Sequence, residues 1–269
     1  MKKIESRENA AYKAMAKLAS SGSERRKTGQ SVLDGAHLVA AFLACGRKPE
    51  EVMVDASGLA DPEVAALVER SAPAPVTLLS DALFKALSTV QTPTGVIARV
   101  RTPQGHAVPA DAPLVLLLDD IQDPGNVGTL LRSAAAAGAG HVMLSGGCAF
   151  AWSPKVLRAA MGAHFALNIV ESADLGEFLA RFRGASVALD AHAQTSLYEL
   201  DLKGPAAFIV GNEGAGISPS LLAAAKLRAR IPMPGLVESL NAGIAGSICL
   251  FEAVRQRRSA MASSAPKRR

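Results

Sequence analysis

Short apolar runs alternate with amphipathic stretches along most of the chain, and the order of the two periodicities predicts an α/β architecture. From Ser6 to Leu87 the pattern reads as an Ala/Lys-rich helix near residues 7–20, a short strand around Val32-Leu33, and a helix from Ala36 to Cys45. A strand at Val52-Met53-Val54, a helix over 62–70 opened by Asp61-Pro62, a strand at Val76–Leu79 and a helix with Ser80 as a candidate cap follow. Gly95–Val100 closes this compact α/β unit as its last strand. Residues 101–113 hold three prolines and little apolar periodicity, so they read as a linker.

The second half opens with Leu114–Leu118, a continuous apolar run of the kind that a parallel strand buried on both faces requires. Further strands are expected near 141–145, 165–170, 185–189, 206–210 and 228–231, separated by helices that include Gly128–Ala137 and Ala242–Arg257. A mainly parallel sheet with helices on both sides follows from that alternation. The division expected is therefore residues 1–100, a linker at 101–113, a second domain over 114–257, and a disordered basic tail at 258–269.

Charge changes this picture only through its position. The net charge is +5, yet residues 1–30 alone carry +5 and residues 255–269 carry +6, which leaves the middle of the chain at −6. Basic ends around an acidic middle suit a polyanionic partner and equally suit solvated termini. Cys45, Cys148 and Cys249 are widely spaced and form no CxxC or Cys/His pattern, so neither a disulfide framework nor a zinc site is indicated. No apolar run approaches the roughly 20 residues that span a bilayer, and the basic N-terminus has no apolar core of a signal peptide. No membrane association and a cytoplasmic location are expected.

Three segments carry candidate chemistry. In the first, Asp123-Pro124-Gly125-Asn126 reads as a turn between a buried strand and a helix, the position where open α/β sheets bind ligands. Asn126 there suits hydrogen bonding to a substrate, and Arg132, further along the helix, suits either the same crevice or a surface ion pair. In the second, the strand Ala206–Val210 delivers the glycine-rich Gly211-Asn-Glu-Gly-Ala-Gly216. It matches neither a dinucleotide nor a P-loop fingerprint, and Glu213 within it is either an idle exposed carboxylate or a group that orients a polar ligand. In the third, Ile231-Pro232-Met233 leads to Ser239-Leu240-Asn241 before a long helix, and Ser239 or Asn241 makes an N-cap. Small residues at 242, 243 and 245–247 allow that helix to pack closely against the core or a second subunit.

Taken together and in this order, the segments resemble the SpoU (TrmH-like) branch of the SPOUT RNA methyltransferases. Asp123-Pro124, Asn126, Gly128 and Arg132 match the first family motif, Gly211-Asn212-Glu213-Gly214 the second, and Ile231-Pro232-Met233 with Ser239-Leu240-Asn241 the third. Ser153–Gly162 is similar to the segment after the second strand of the family's catalytic domain. Arg25–Gly29, Asp34-Gly35 and Thr92–Gly95 are similar to its optional substrate-binding domain, with Asp34 where Glu is more usual.

The resemblance implies an N-terminal α/β domain of the ribosomal-protein-L30e type and a C-terminal SPOUT domain with a deep trefoil knot. It implies an S-adenosylmethionine-dependent enzyme that methylates a ribose 2′-hydroxyl, with ribosomal RNA favoured over transfer RNA, and a homodimer. Leu189, Gly211, Asn212, Ile231, Met233, Ser239 and Leu240 would hold the cofactor. Catalysis would rest on Asn126, Arg132, Glu213, Ser239 and Asn241. A guanidinium resists deprotonation, so Arg132 is assigned to stabilise a developing alkoxide or clamp a phosphate, with Glu213 orienting it and Asn126 orienting the ribose. Arg25, Arg26, Lys27, Lys155 and Arg158 would contact RNA, and no metal is expected.

None of the five histidines falls within a motif, and none is assigned a catalytic role. Trp152 and Phe150 suit either base stacking or a core. The rivals are a base-methylating SPOUT enzyme and a nonenzymatic knotted RNA-binding protein. A dehydrogenase or kinase is weaker still, because its fingerprint is absent.

Overall fold

A computed structural model describes residues 1–237 and 239–264, with the side chains up to residue 260. The chain divides into two compact units, Met1–Pro103 with Trp152–Phe165, and Gln104–Ala151 with Ala166 onwards.

The first unit runs β1 (Lys2–Ile4), α1 (Ala10–Ser20), α2 (Gly22–Thr28), β2 (Gln30–Asp34), α3 (Ala36–Ala44), β3 (Glu51–Val54), α4 (Ala56–Ala60), α5 (Pro62–Arg70), β4 (Val76–Leu79), α6 (Asp81–Leu87) and β5 (Val96–Arg101). Its five strands form one mixed sheet in the order β1-β4-β3-β5-β2, with β5 antiparallel to both neighbours. The helices start where side chains satisfy their first N–H groups. Asp61 caps α5 through Glu63 and Val64 with Pro62 inside the first turn, and Asn9 caps α1 through Ala11. Tyr12, Met15 and Leu18 of α1 pack with Phe84 of α6 on Val32, Met53 and Ile97 of the sheet. The three elements missing from the periodicity are β1, with three residues, α2, whose polar GSERRKT sequence has no apolar stripe, and α4, with five residues.

The second unit holds β6 (Leu114–Leu118), α7 (Pro124–Ala136) and β7 (His141–Leu144), after which α8 (Pro154–Ala160) belongs to the first unit. It continues with β8 (Asn168–Val170), α9 (Leu175–Arg181), β9 (Ala185–Leu189), β10 (Ala206–Val210), α10 (Pro219–Ala224), β11 (Leu227–Ala229) and α11 (Ala242–Ser264). All six strands are parallel, in the order β11-β9-β10-β6-β7-β8. β6 and β10 lie at the centre and are buried at every position, as their unbroken apolar sequences require.

Three expectations need correction. The segment 101–113 is not a free linker beyond Pro103. Val108 and Ala112 are each 2% exposed in the core of the second unit, and burying a side chain such as Val108 is worth about 1.5–3 kcal/mol. Arg181 and Arg183 fasten the same stretch by donating to the carbonyls of Val108 and Ala110. Next, α11 runs to Ser264, so residues 258–264 of the tail expected to be disordered are helical, while 265–269 lie outside the described residues. The cause is propensity: Ser-Ala-Met-Ala-Ser-Ser has no helix breaker before Pro266. Finally, Pro124-Gly125-Asn126 is not a turn before the helix but its first turn. Asp123 is the N-cap, accepting from the Asn126 N–H at 2.8 Å, and Pro124 occupies a position that needs no N–H.

The small residues of α11 are used inside the unit, where the helix packs on α7. A Cβ on Gly246 would lie 2.3 Å from Leu130 Cδ2, and the hydroxyls of Ser247 and Ser133 are 2.7 Å apart.

Candidate active site

The carboxyl ends of β9, β10 and β11 converge on one cleft lined by the second and third sequence segments, and the first segment, which follows β6, joins it through a hydrogen bond from Asn126 to Glu213. β10 ends at Val210 and hands over to a tight loop. The Asn212 and Gly216 backbones exchange hydrogen bonds of 3.0 and 2.9 Å, and Gly216 adopts φ +72° to close it. Asn212 is consumed by this loop. Its Oδ1 accepts from the N–H groups of Gly214 and Ala215, and its Nδ2 donates to the Asp120 carbonyl at 2.9 Å. Gly211 has the same character. A Cβ there would stand 2.4 Å from the backbone of Gly216 and Ile217, so the loop's own closure demands glycine. The loop is anchored further by Asp119, whose carboxylate accepts from the Ser218 N–H at 2.8 Å.

The loop displays Glu213, and this carboxylate ends a chain of amides. Asn126 donates from Nδ2 to Glu213 Oε1, and Asn241 donates from Nδ2 to Asn126 Oδ1 at 2.8 Å. Asn241 in turn accepts the Ile244 N–H at 3.2 Å and so caps α11, which selects it over Ser239 as the N-cap residue. Every amide atom of Asn126 that faces a partner is therefore fixed: oxygen toward Asn241, nitrogen toward Glu213. One residue from each segment takes part, and the ionised carboxylate makes the terminal bond a strong one.

Arg132 is not part of this chain. It is exposed on α7 and has no hydrogen bond or ion pair among the described residues. The expectation that Glu213 orients Arg132 is thus corrected, because Glu213 holds Asn126 instead.

All seven residues expected to hold the cofactor line the cleft: Leu189 from β9, Gly211 and Asn212 after β10, and Ile231, Met233, Ser239 and Leu240 from the segment between β11 and α11. The cleft measures about 180 Å³. Leu189, Val210, Ile231, Met233 and Leu240 give it apolar walls, Gly211, Gly216, Ala242 and Ala245 leave space, and Glu213, Ser239, Asp190 and Arg230 add polar groups. An aromatic base and a polar, charged appendage fit that combination, which suits S-adenosylmethionine. Asp190 and Arg230 were not anticipated, since neither lies inside a motif.

The residues expected to touch RNA fall in the first unit. Arg26, Lys27, Lys155 and Arg158 are exposed. Arg25 is not: at 6% exposure its guanidinium Nη1 caps α1 through the carbonyls of Leu18 and Ala19, and burial lowers its pKa. Its spacing along α2 turns it inward, a matter of packing that the basic run Arg25-Arg26-Lys27 conceals. Trp152 is 2% exposed and packs on His164 at a ring separation of 4.9 Å, so it is a core residue.

Comparison with known proteins places the chain in a family. Residues 113–251 match the SpoU rRNA Methylase family, and residues 9–98 match the MRM3-like substrate binding domain. The 23S rRNA (guanosine(2553)-2′-O)-methyltransferase RlmP of Bacillus subtilis is 33% identical over 254 residues, covering 93% of this chain and 98% of that protein. A crystal structure of an RNA 2′-O ribose methyltransferase superposes with a TM-score of 0.82 at 32% identity, covering 95% of this chain and 99% of the other. The AdoMet-bound rRNA methyltransferase of Sinorhizobium meliloti superposes with a TM-score of 0.83 at 28% identity, covering 94% and 97%. The chain belongs to the SpoU rRNA methylase family.

Proposed function

We infer that this chain is an S-adenosylmethionine-dependent RNA methyltransferase that acts on a ribose 2′-hydroxyl, with ribosomal RNA as its substrate. The observation that carries the reading is one cleft lined by the second and third motif segments, to which the Glu213–Asn126–Asn241 chain ties the first. Bound in the cleft, S-adenosylmethionine supplies an electrophilic methyl group on a cationic sulfur. The protein's task is to present a weakly acidic hydroxyl in line with that methyl and to stabilise the alkoxide as it forms. Asn126 and Glu213 present fixed polar groups at the cleft edge and orient the ribose. Asn241 fixes Asn126 and the start of α11 together, and Ser239 shapes the loop between them. Arg132 provides the positive charge, for the alkoxide or for a neighbouring phosphate.

The exposed position of Arg132 is consistent with a homodimer in which the arginine serves the partner's cleft. Ile244 and Phe251, 50% and 48% exposed on α11, add an apolar stripe for such contact. The first unit, through Arg26, Lys27, Lys155 and Arg158, holds the RNA. The deep knot implied by the family resemblance belongs to this reading too.

The test is methyl transfer to ribosomal RNA followed by nucleoside mass spectrometry and mapping. One 2′-O-methylated nucleotide is expected, and a substrate carrying 2′-deoxyribose at that position should bind and accept no methyl group. Methylation of the deoxy substrate would transfer the acceptor to a base, and light scattering showing a fully active monomer would overturn the dimer.

A further inference from the structure

The charged residues lining the cleft form two groups. Glu213 follows β10 and bonds to Asn126 beyond β6, whereas Asp190 and Arg230 follow β9 and β11. In the sheet, β9 and β6 flank β10, so the end of β9 that leads to Asp190 stands one strand spacing from the end of β10 that leads to Glu213, and two, about 10 Å, from the end of β6 that leads to Asn126.

Asp190 is held in place from several sides. Its N–H donates to the Ala229 carbonyl at 3.1 Å, its carbonyl accepts from Ala193 at 3.1 Å, and its Oδ1 accepts the His192 N–H at 2.9 Å. Arg230 locks the same turn. Its Nη1 donates to the carbonyls of Ala193 and Gln194 at 2.7 Å each, and its N–H donates to Thr195 at 3.0 Å. The carboxylate therefore has one position, an uncommitted Oδ2, and no ion pair among the described residues.

An ionised carboxylate can only accept hydrogen bonds. The methyl donor offers it two sets of donors, the ribose diol and the α-ammonium group. The neighbours decide between them. Leu189 precedes Asp190 and Ile231 follows Arg230, so two of the cleft's apolar walls flank the carboxylate, and an adenine ring fits against them. The ribose is attached to that ring, while the methyl group must face the opposite end, where Asn126 and Glu213 lie.

We propose that Asp190 accepts hydrogen bonds from the ribose hydroxyls of the methyl donor, and so sets affinity for donor and demethylated product alike. The proposal rests on reading the cleft as the donor site. Calorimetry with S-adenosylmethionine, S-adenosylhomocysteine and 5′-methylthioadenosine tests it, because the last keeps adenine and diol and lacks the amino-acid arm. Asp190→Asn, which retains an acceptor for His192, should weaken all three by the same factor, about ten-fold or more for a lost charged hydrogen bond. Asp190→Ala should do the same. On the unaltered protein, 2′,3′-dideoxy-S-adenosylhomocysteine should lose a similar factor, a readout independent of whether either variant folds. Weakening confined to ligands with the amino-acid arm would assign Asp190 to the ammonium group and overturn the proposal. Unchanged affinity for all three would remove Asp190 from the donor site, while failure of the unaltered protein to bind any of them would instead reject the cleft.

Discussion

At the scale of single residues, Arg132 and Gly211 sit on opposite sides of the same chemistry. Arg132 is exposed, with no partner among the described residues, and none of the cofactor contacts expected from sequence involves it. Arg132→Ala should lower the single-turnover methylation rate by about 10²-fold, on the scale of a lost oxyanion donor, and leave donor affinity unmoved in calorimetry. Arg132→Lys keeps the charge without the planar donor fork and should stay impaired. Wild-type rates from Arg132→Ala would exclude it from the chemistry. Gly211→Val should act differently, by forcing the loop open against Gly216 and Ile217. Loss of donor binding together with a lower melting temperature is expected, and a variant with unchanged binding would show that the loop tolerates a side chain. Segment order was enough to nominate Asn126, Glu213 and Asn241, because each lies inside a motif. That Glu213 pairs with Asn126 and not with Arg132 was illegible, since 87 residues separate the pair and only the folded sheet brings them together.

Elements show a parallel contrast between what periodicity reveals and what it hides. β6 and β10 could be read directly, because strands buried on both faces have no polar position to confuse the period. The stretch Gln104–Ala112 could not, because a segment tied down by the burial of Val108 and Ala112 and by arginines 73 residues away has no local pattern. This stretch also carries a pH dependence. The Asn168 side chain exchanges two hydrogen bonds of 2.9 Å with the His106 backbone and donates to His141 Nδ1 at 3.1 Å. Burial, and then His106, hold the His141 pKa below its ordinary value. The unfolded chain thus takes up that proton more readily, so stability present above the ordinary imidazole value is lost as the pH falls below about 6.5. Hydrogen exchange at residues 104–108, corrected for the intrinsic rate, should rise between pH 7.5 and 5.5, and His141→Asn should flatten the rise. In α11, Gln256 accepts from the Leu202 N–H and donates to the Leu200 carbonyl and to Glu252, at 2.9, 3.0 and 2.8 Å. Gln256→Ala leaves those buried groups unpaired and should cost about 2–3 kcal/mol in denaturant unfolding. A change below about 0.5 kcal/mol would mean the helix is held by its apolar contacts alone.

Across the whole molecule, basic charge is the property that sequence reported most easily and located least well. Arg26, Lys27, Lys155 and Arg158 are exposed in the first unit, although 128 positions separate Lys27 from Lys155 in the chain. Replacing all four by Ala should weaken RNA binding and reduce the slope of log affinity against log salt by about 3, close to one per phosphate contact, with donor affinity unchanged. An unchanged slope would place the RNA elsewhere. Arg25→Ala should instead lower stability and leave the slope alone, since its guanidinium caps α1.

The first unit is discontinuous in sequence, and this bears on how the protein is made. Residues 1–103 are synthesised without Trp152–Phe165, the segment that completes their unit. At about 5–20 residues per second, the 62 positions from Gln104 to the end of that segment at Phe165 take roughly 3–12 s to translate. For that interval the nascent first unit lacks the buried Trp152, Val156 and Leu157, and the surface they cover is open to holdase chaperones. A single cut after Pro103 reproduces the same unfinished state permanently, which makes separate expression of the two halves a measure of what the late segment contributes.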